Sequence, residues 1–188
     1  MRPERNRGEI SGQANLTELN SFHIEPLADS HDRRSFSCGV EALDLYFRQQ
    51  IKQDVGRRIA SAFVLTPDGK EVAGFYTLSS LSISGAELPQ EQGKKLPSRA
   101  PIGVTLLGRM AVSERFKGKQ LGRLLLIHAL DRALQASRQV ASWAVVVDAK
   151  EGSREFYLKH GFLPMEDRPN RLFLPLKAIE GRFKSKSS

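Results

Sequence analysis

The stretches Arg115–Leu130, RFKGKQLGRLLLIHAL, and Val145–Phe162, VVVDAKEGSREFYLKHGF, decide the fold. Ahead of the first, Leu106–Val112 is an apolar run of strand length. Gly118 then lets the backbone turn tightly, and a helix is expected from near Gln120 to Gln135. The unpaired N–H groups at the start of that helix can meet a pyrophosphate. Lys117, Lys119 and Arg123 put cationic side chains around the same turn, which suits a ligand carrying a pyrophosphate and a further phosphate. A P-loop or a dinucleotide fingerprint is excluded on spacing, because the only glycines here are Gly118 and Gly122. In the second stretch, Ala141–Val147 reads as a strand, and Ser153 as the cap of a short helix that carries Glu155, Phe156 and Tyr157 and ends before Gly161. Taken singly, the basic turn reads equally well as a solvated loop and Tyr157 as a half-buried aromatic.

Together, the strand feeding RFKGKQLGRLLLIHAL and the strand feeding FYLKHGF resemble the cofactor-binding half of the GNAT-family N-acetyltransferases. The resemblance implies an α/β, three-layer fold, with a mixed, mostly antiparallel central sheet flanked by helices. It also implies acetyl-CoA as co-substrate. The family pattern of Gln or Arg, two residues, Gly, one residue, then Gly or Ala falls on Arg115, Gly118 and Gln120, so position 120 departs from it. Cofactor contacts are implied for Met110, Ala111 and Val112, on a splayed, bulged strand end that frees backbone groups. They are implied also for Lys117, Gly118, Lys119, Gln120, Leu121, Gly122, Arg123 and Phe156, and Tyr157 becomes the general acid. The chemistry needs such a group: attack of an amine on a thioester makes an oxyanion, and its collapse expels a thiolate that a phenol can protonate.

The remaining chain reads as one domain over 21–178, between a flexible segment 1–20 and a flexible basic tail 179–188. Phe22–Leu27 is expected to be the first strand. Leu43, Phe47, Ile51 and Val55 make one apolar stripe along a helix from Glu41 to Arg57, with Tyr46 alongside, and that stripe reads as core rather than as a ligand box. Ala62–Thr66 and Val72–Ser80 are strands joined by PDGK. Gly85–Pro101 is a long loop, and Phe162–Met165 and Arg171–Leu176 close the set of strands.

The chain has 188 residues, one cysteine (Cys38) and a net charge of +8. A single cysteine forms no internal disulfide, no apolar run approaches the roughly 18 residues of a membrane span, and residues 1–20 contain no signal-peptide core, so the cytoplasm is the expected compartment. The four histidines lack metal-site spacing, and no metal is expected. The surplus cations at Lys94, Lys95, Arg99 and Arg109, at Arg57 and Arg58, and in the tail fit a polyanionic second substrate or a solvated face.

FSCGVEALDLYFRQQIKQDVGRRIASAFVL, GFYTLSS, LLGRMAV and RLFLPLK, in that order, resemble the GNAT toxins of bacterial type II toxin-antitoxin modules. Such a toxin acetylates the α-amino group of aminoacyl-tRNA, blocks translation, and is held by a partner, here expected to be a ribbon-helix-helix antitoxin. A homodimer stays open. An α-amino group titrates ~2 units below a lysine side chain, so the reaction needs no strong base. Lys94, Lys95, Arg99 and Arg109 are the candidate tRNA contacts. A protein or small-amine acetyltransferase, and a non-catalytic acetyl-CoA-binding module, remain as other readings; the first would have an acidic acceptor groove.

Overall fold

The computed structural model describes residues 21–97, 100–150 and 152–184. The expected N-terminal segment 1–20, Arg99 and the chain end 185–188 lie outside them. Seven strands form one sheet: β1 (His23–Pro26), β2 (Ser61–Thr66), β3 (Gly74–Ile83), β4 (Ile102–Val112), β5 (Ala144–Asp148), β6 (Leu163–Pro164) and β7 (Arg171–Pro175), in the spatial order β1-β2-β3-β4-β5-β7-β6. Only β4 and β5 are parallel, so the sheet is mixed and mostly antiparallel, as expected.

Strand alternation produces the layers. Phe63, Leu65 and Tyr76 point into a cluster with Leu121, Leu125, Leu126 and Ala129 of α4 (Leu121–Ser137). Val64 and Phe75 point the other way, to Phe36, Tyr46, Phe47 and Ile51. These last come from α1 (Glu41–Leu45), a π-helical stretch (Tyr46–Gln50) and α2 (Ile51–Gly56), which run on from one another where one regular helix was expected. A third cluster lies on the same side as this helix and includes Leu88, Ile102, Val104, Val146 and Phe173. The segment read as a loop contributes Leu88 to it and holds a 3-10 turn (Gly85–Glu87) and α3 (Gln90–Gly93).

Three expectations are corrected. The tail from 179 begins as helix: α6 (Leu176–Lys184) follows β7 directly, because Leu176 and Ile179 bury against the α4 cluster. Ser153 does not cap α5 (Arg154–Lys159) with its side chain; its hydroxyl donates to the Lys150 carbonyl at 2.8 Å. The bulge in β4 lies at Gly108, two residues before Met110–Val112. Thr77 pairs with Arg109 and Leu78 with Leu107, which leaves Gly108 as the extra residue. Thr77 Oγ1 accepts the Arg109 N–H at 3.1 Å, and a Cβ at 108 would come within 3.3 Å of that oxygen.

Candidate active site

β4 and β5 pair only from Thr105↔Val145 to Leu107↔Val147. Beyond the Gly108 bulge the two strands part, and the gap opens a cleft of about 1060 Å³. Met110, Ala111 and Val112 form one wall, Val147 and Asp148 with Tyr157 of α5 another, and Val40, Leu43, Tyr46 and Gln50 the third. The cleft adjoins a smaller cavity of about 440 Å³ at the start of α4; both touch Val112 and Lys117.

The smaller cavity is lined by Val112, Lys117, Gly118, Gln120, Leu121, Gly122, Arg123 and Phe156, which are residues read from the sequence, together with Phe116. Gly118 has φ +81°, a conformation that costs glycine nothing. Gln120 has φ 57° and ψ 18°, so the departing residue adopts the left-handed turn that a glycine would make there. The N–H groups of Arg123 and Leu124 return to the Gln120 carbonyl at 3.1 and 3.3 Å. Those of Leu121 and Gly122 have no such backbone partner among the described residues, at the head of a long helix where the dipole favours an anion. A Cβ at Gly122 would stand 3.9 Å from the Phe156 ring and from Val112, so the floor is closely packed. These donors and cations fit the pyrophosphate of coenzyme A. Arg115, the first residue of the family pattern, is paired with Glu71. Lys119 is not among the lining residues of either cavity.

Tyr157 is buried, with its ring edge-on to Phe156 and Phe162 at 5.2 and 5.5 Å. Its hydroxyl makes no hydrogen bond to the described residues, although Tyr157 lines the cleft. Burial pushes the phenol up to about 12, so it stays protonated throughout the physiological range. Across the cleft, Arg109 lies with its guanidinium carbon 3.7 Å from the centroid of the Tyr46 ring. Asp148 is the one carboxylate among the cleft's described lining residues, and Arg171 holds it through two hydrogen bonds of 2.6 and 2.8 Å.

The structure therefore brings Met110, Ala111, Val112, Lys117, Arg109 and Tyr157 to one cleft. Lys94 and Lys95 are not part of its lining; they follow α3 in a turn whose Leu96 packs on the third cluster. Sequence reasoning missed the wall made by Val40, Leu43, Tyr46 and Gln50. Its one sequence signal is Tyr46, off the main stripe; that Val40 is exposed at the cleft only the structure shows.

Comparison with known proteins agrees with this geometry. The acetyltransferase (GNAT) family model matches residues 24–162. A tRNA-acetylating toxin of Mycobacterium tuberculosis is 34% identical, over 80% of this chain and 90% of its own. The solved structure of AtaT complexed with acetyl-methionyl-tRNAfMet has a TM-score of 0.80 at 32% identity, covering 86% of this chain and 99% of that one. A tyrosine-to-phenylalanine variant of AtaT, bound to the C-terminus of the antitoxin AtaR and to acetyl-CoA, has a TM-score of 0.73 at 29% identity, covering 87% and 98%. With the split strands, the cationic helix start and the buried tyrosine in place, the chain belongs to the GNAT family of acetyl-CoA-dependent N-acetyltransferases.

Proposed function

We propose that this chain transfers the acetyl group of acetyl-CoA to the α-amino group of the amino acid on a charged tRNA, and that it thereby acts as the toxin of a bacterial toxin-antitoxin pair in the cytoplasm. The observation that carries this reading is the charge of the cleft. Arg109, Lys117 and Lys150 line it; Lys117 is shared with Glu114, and the one carboxylate among the described lining residues, Asp148, is already neutralised by Arg171. Such a cleft repels a protonated lysine or polyamine and attracts a polyanion. That disfavours the protein or small-amine reading, which needs an acidic groove. The buried, protonated Tyr157 disfavours a module that merely binds acetyl-CoA. The ~30% likeness to a tRNA-acetylating toxin and to tRNA-bound AtaT supports the same acceptor.

In this reading, the start of α4 with Lys117 and Arg123 holds the pyrophosphate, and the parted end of β4 offers backbone groups to the pantetheine arm. Acetyl-CoA supplies the activated thioester. The N–H groups of the parted strand polarise its carbonyl while the neutral amine attacks. A C–N bond forms and the C–S bond breaks. Tyr157 gives its proton to the departing sulfur, and the proton lost by the amine nitrogen restores the phenol through solvent. No strong base is required, since an α-amino group of pKa ~8 already has a sizeable neutral fraction near neutral pH.

Arg109 is the acceptor contact that the cleft supports best. Lys94, Lys95 and Arg99 would meet the tRNA farther along its backbone. A ribbon-helix-helix antitoxin is the proposed partner, and a homodimer is the assembly proposed with it. AtaT's complex with AtaR supports an antitoxin of some kind. The test is incubation of the chain with labelled acetyl-CoA and a mixture of charged tRNAs, with the acetylated species then identified. Label on the aminoacyl moiety is expected. Label on protein lysines or polyamines, with none on tRNA, would overturn the reading.

A further inference from the structure

We propose that Arg109 and Tyr46 form one unit, an anion subsite at the acceptor end of the cleft. In it Arg109 binds a phosphate of the acceptor, and Tyr46 is the positioning residue that fixes Arg109 there. The proposal rests on the charged-tRNA reading and names the residues that would select for it.

Arg109 is exposed to the cleft and forms no ion pair with any described carboxylate, whereas Asp148 across the cleft is claimed by Arg171. A guanidinium free of carboxylates yet held in place is suited to bidentate contact with a phosphate. What holds it is the face of Tyr46, 3.7 Å from the guanidinium carbon. Arg109 also donates toward the Tyr46 hydroxyl oxygen, and its remaining N–H donors, which no described carboxylate takes, stay available to a ligand.

Tyr46 is itself fixed from behind. It is only 3% exposed, and its hydroxyl donates to Asp54 Oδ2 at 2.9 Å, two turns on. It opens the π-helical stretch Tyr46–Gln50. A π turn misplaces helix carbonyls, and here a second side chain takes two of them: Arg33 Nη1 donates to the carbonyls of Arg48 at 2.8 Å and Phe47 at 3.4 Å. Arg48 in turn donates to the Phe36 carbonyl at 3.0 Å, which ties the segment before α1 to the same stretch. The β4 side is just as constrained, since the bulge at Gly108 pins the Arg109 N–H to Thr77. Two irregularities, one in a helix and one in a strand, thus meet at this stacked pair.

The experiment measures acetylation of a charged-tRNA mixture by the full-length chain, alongside acetyl-CoA affinity by calorimetry and melting temperature. Arg109→Leu is expected to raise the tRNA KM at least about tenfold and to flatten the salt dependence of log KM by roughly one unit, with acetyl-CoA affinity unchanged. Tyr46→Leu is expected to raise KM by about tenfold, as loss of a desolvated cation–π contact would, and Tyr46→Phe, which keeps the ring face, to stay within about twofold of wild type. A role in packing alone would lower the melting temperature and leave KM and salt slope untouched. Arg109 is exposed, so its variant remains decisive even where Tyr46→Leu does not fold. Wild-type KM and salt slope in Arg109→Leu overturn the subsite while leaving tRNA acetylation standing. A wild-type chain that acetylates no charged tRNA overturns both.

Discussion

Replacing Gln120 with glycine isolates the energetic consequence of this chain's departure from the GNAT loop pattern. Gln120 has φ 57° and ψ 18°, and its side chain makes no capping hydrogen bond at the head of α4. A left-handed L-residue costs ~1–2 kcal/mol through contact of Cβ with the carbonyl that follows. Glycine removes that contact but brings ~0.5–1 kcal/mol of extra unfolded-chain entropy. The net gain is ~0.5–1 kcal/mol, which for a chain of this size raises the melting temperature by ~1–4 °C. Gln120→Ala is the control: it keeps Cβ and the strain, so its melting temperature should not exceed that of wild type. Gln120 also lines the phosphate cavity, so the stabilisation that saturating acetyl-CoA gives to Gln120→Gly should at least equal that of wild type. Thermal denaturation of the three proteins, with and without acetyl-CoA, decides the matter. A glycine variant that melts at or below the alanine variant would refute the strain argument.

Tyr157→Phe removes a hydroxyl that no described residue pairs with, so fold and acetyl-CoA affinity should persist while turnover falls ~100- to 10,000-fold; wild-type turnover would move the acid role to another group. Alkaline titration tests the burial of all three tyrosines. Burial pushes Tyr46 and Tyr157 up to about 12 and Tyr76 also above its ordinary value, against ~10 in an unfolded chain. Folded pKa values above the unfolded ones mean that the associated stability is fully present below pH ~10 and is lost as pH rises toward about 12. Tyrosinate absorbance should therefore appear together with unfolding. Its appearance near pH 10 in protein that keeps its native circular dichroism would contradict this burial.

The sequence was most legible where local chemistry and global packing agree. The run RFKGKQLGR pointed to the cavity at the head of α4 because its glycines and cations act through the backbone and through charge, both of which are local. Tyr157 was singled out by family resemblance, since its place on a short helix after an apolar strand reads by itself as a half-buried aromatic. The wall containing Tyr46 was missed because the Leu43, Phe47, Ile51, Val55 stripe reads as one uniform helix, and a π turn keeps that stripe while changing what lies beside it. Arg33, which donates to two carbonyls of that turn, is distant in sequence and acts on the backbone, which periodicity does not register. The tail from 179 was read as flexible from its cations, although Ile179, with Leu176 before it, docks α6 on the core. Lys94 and Lys95 were singled out by charge, yet charge says nothing of which cavity a side chain lines.

The position of Arg109 depends most on a feature that no local signal announces. Along β4, Ile102, Val104 and Leu106 face the third cluster, while Leu107 faces the α4 core. In a regular strand the alternation would send residue 109 to the same side as Leu107. Arg109 would then enter the cluster of Leu121, Leu125 and Tyr76, where an unpaired guanidinium costs several kcal/mol, on the order of a sizeable share of a domain's whole stability. The extra residue at Gly108 reverses the alternation. Met110 and Val112 now pack on the α4 side, and Ala111 joins Phe75 and Phe47 opposite. Arg109, on the Ala111 side, reaches the ring of Tyr46. The Gly108 bulge, past which β4 no longer pairs with β5, is therefore the same irregularity that turns a cation into the cleft, so the gap between the strands and the placement of Arg109 go back to a single inserted residue.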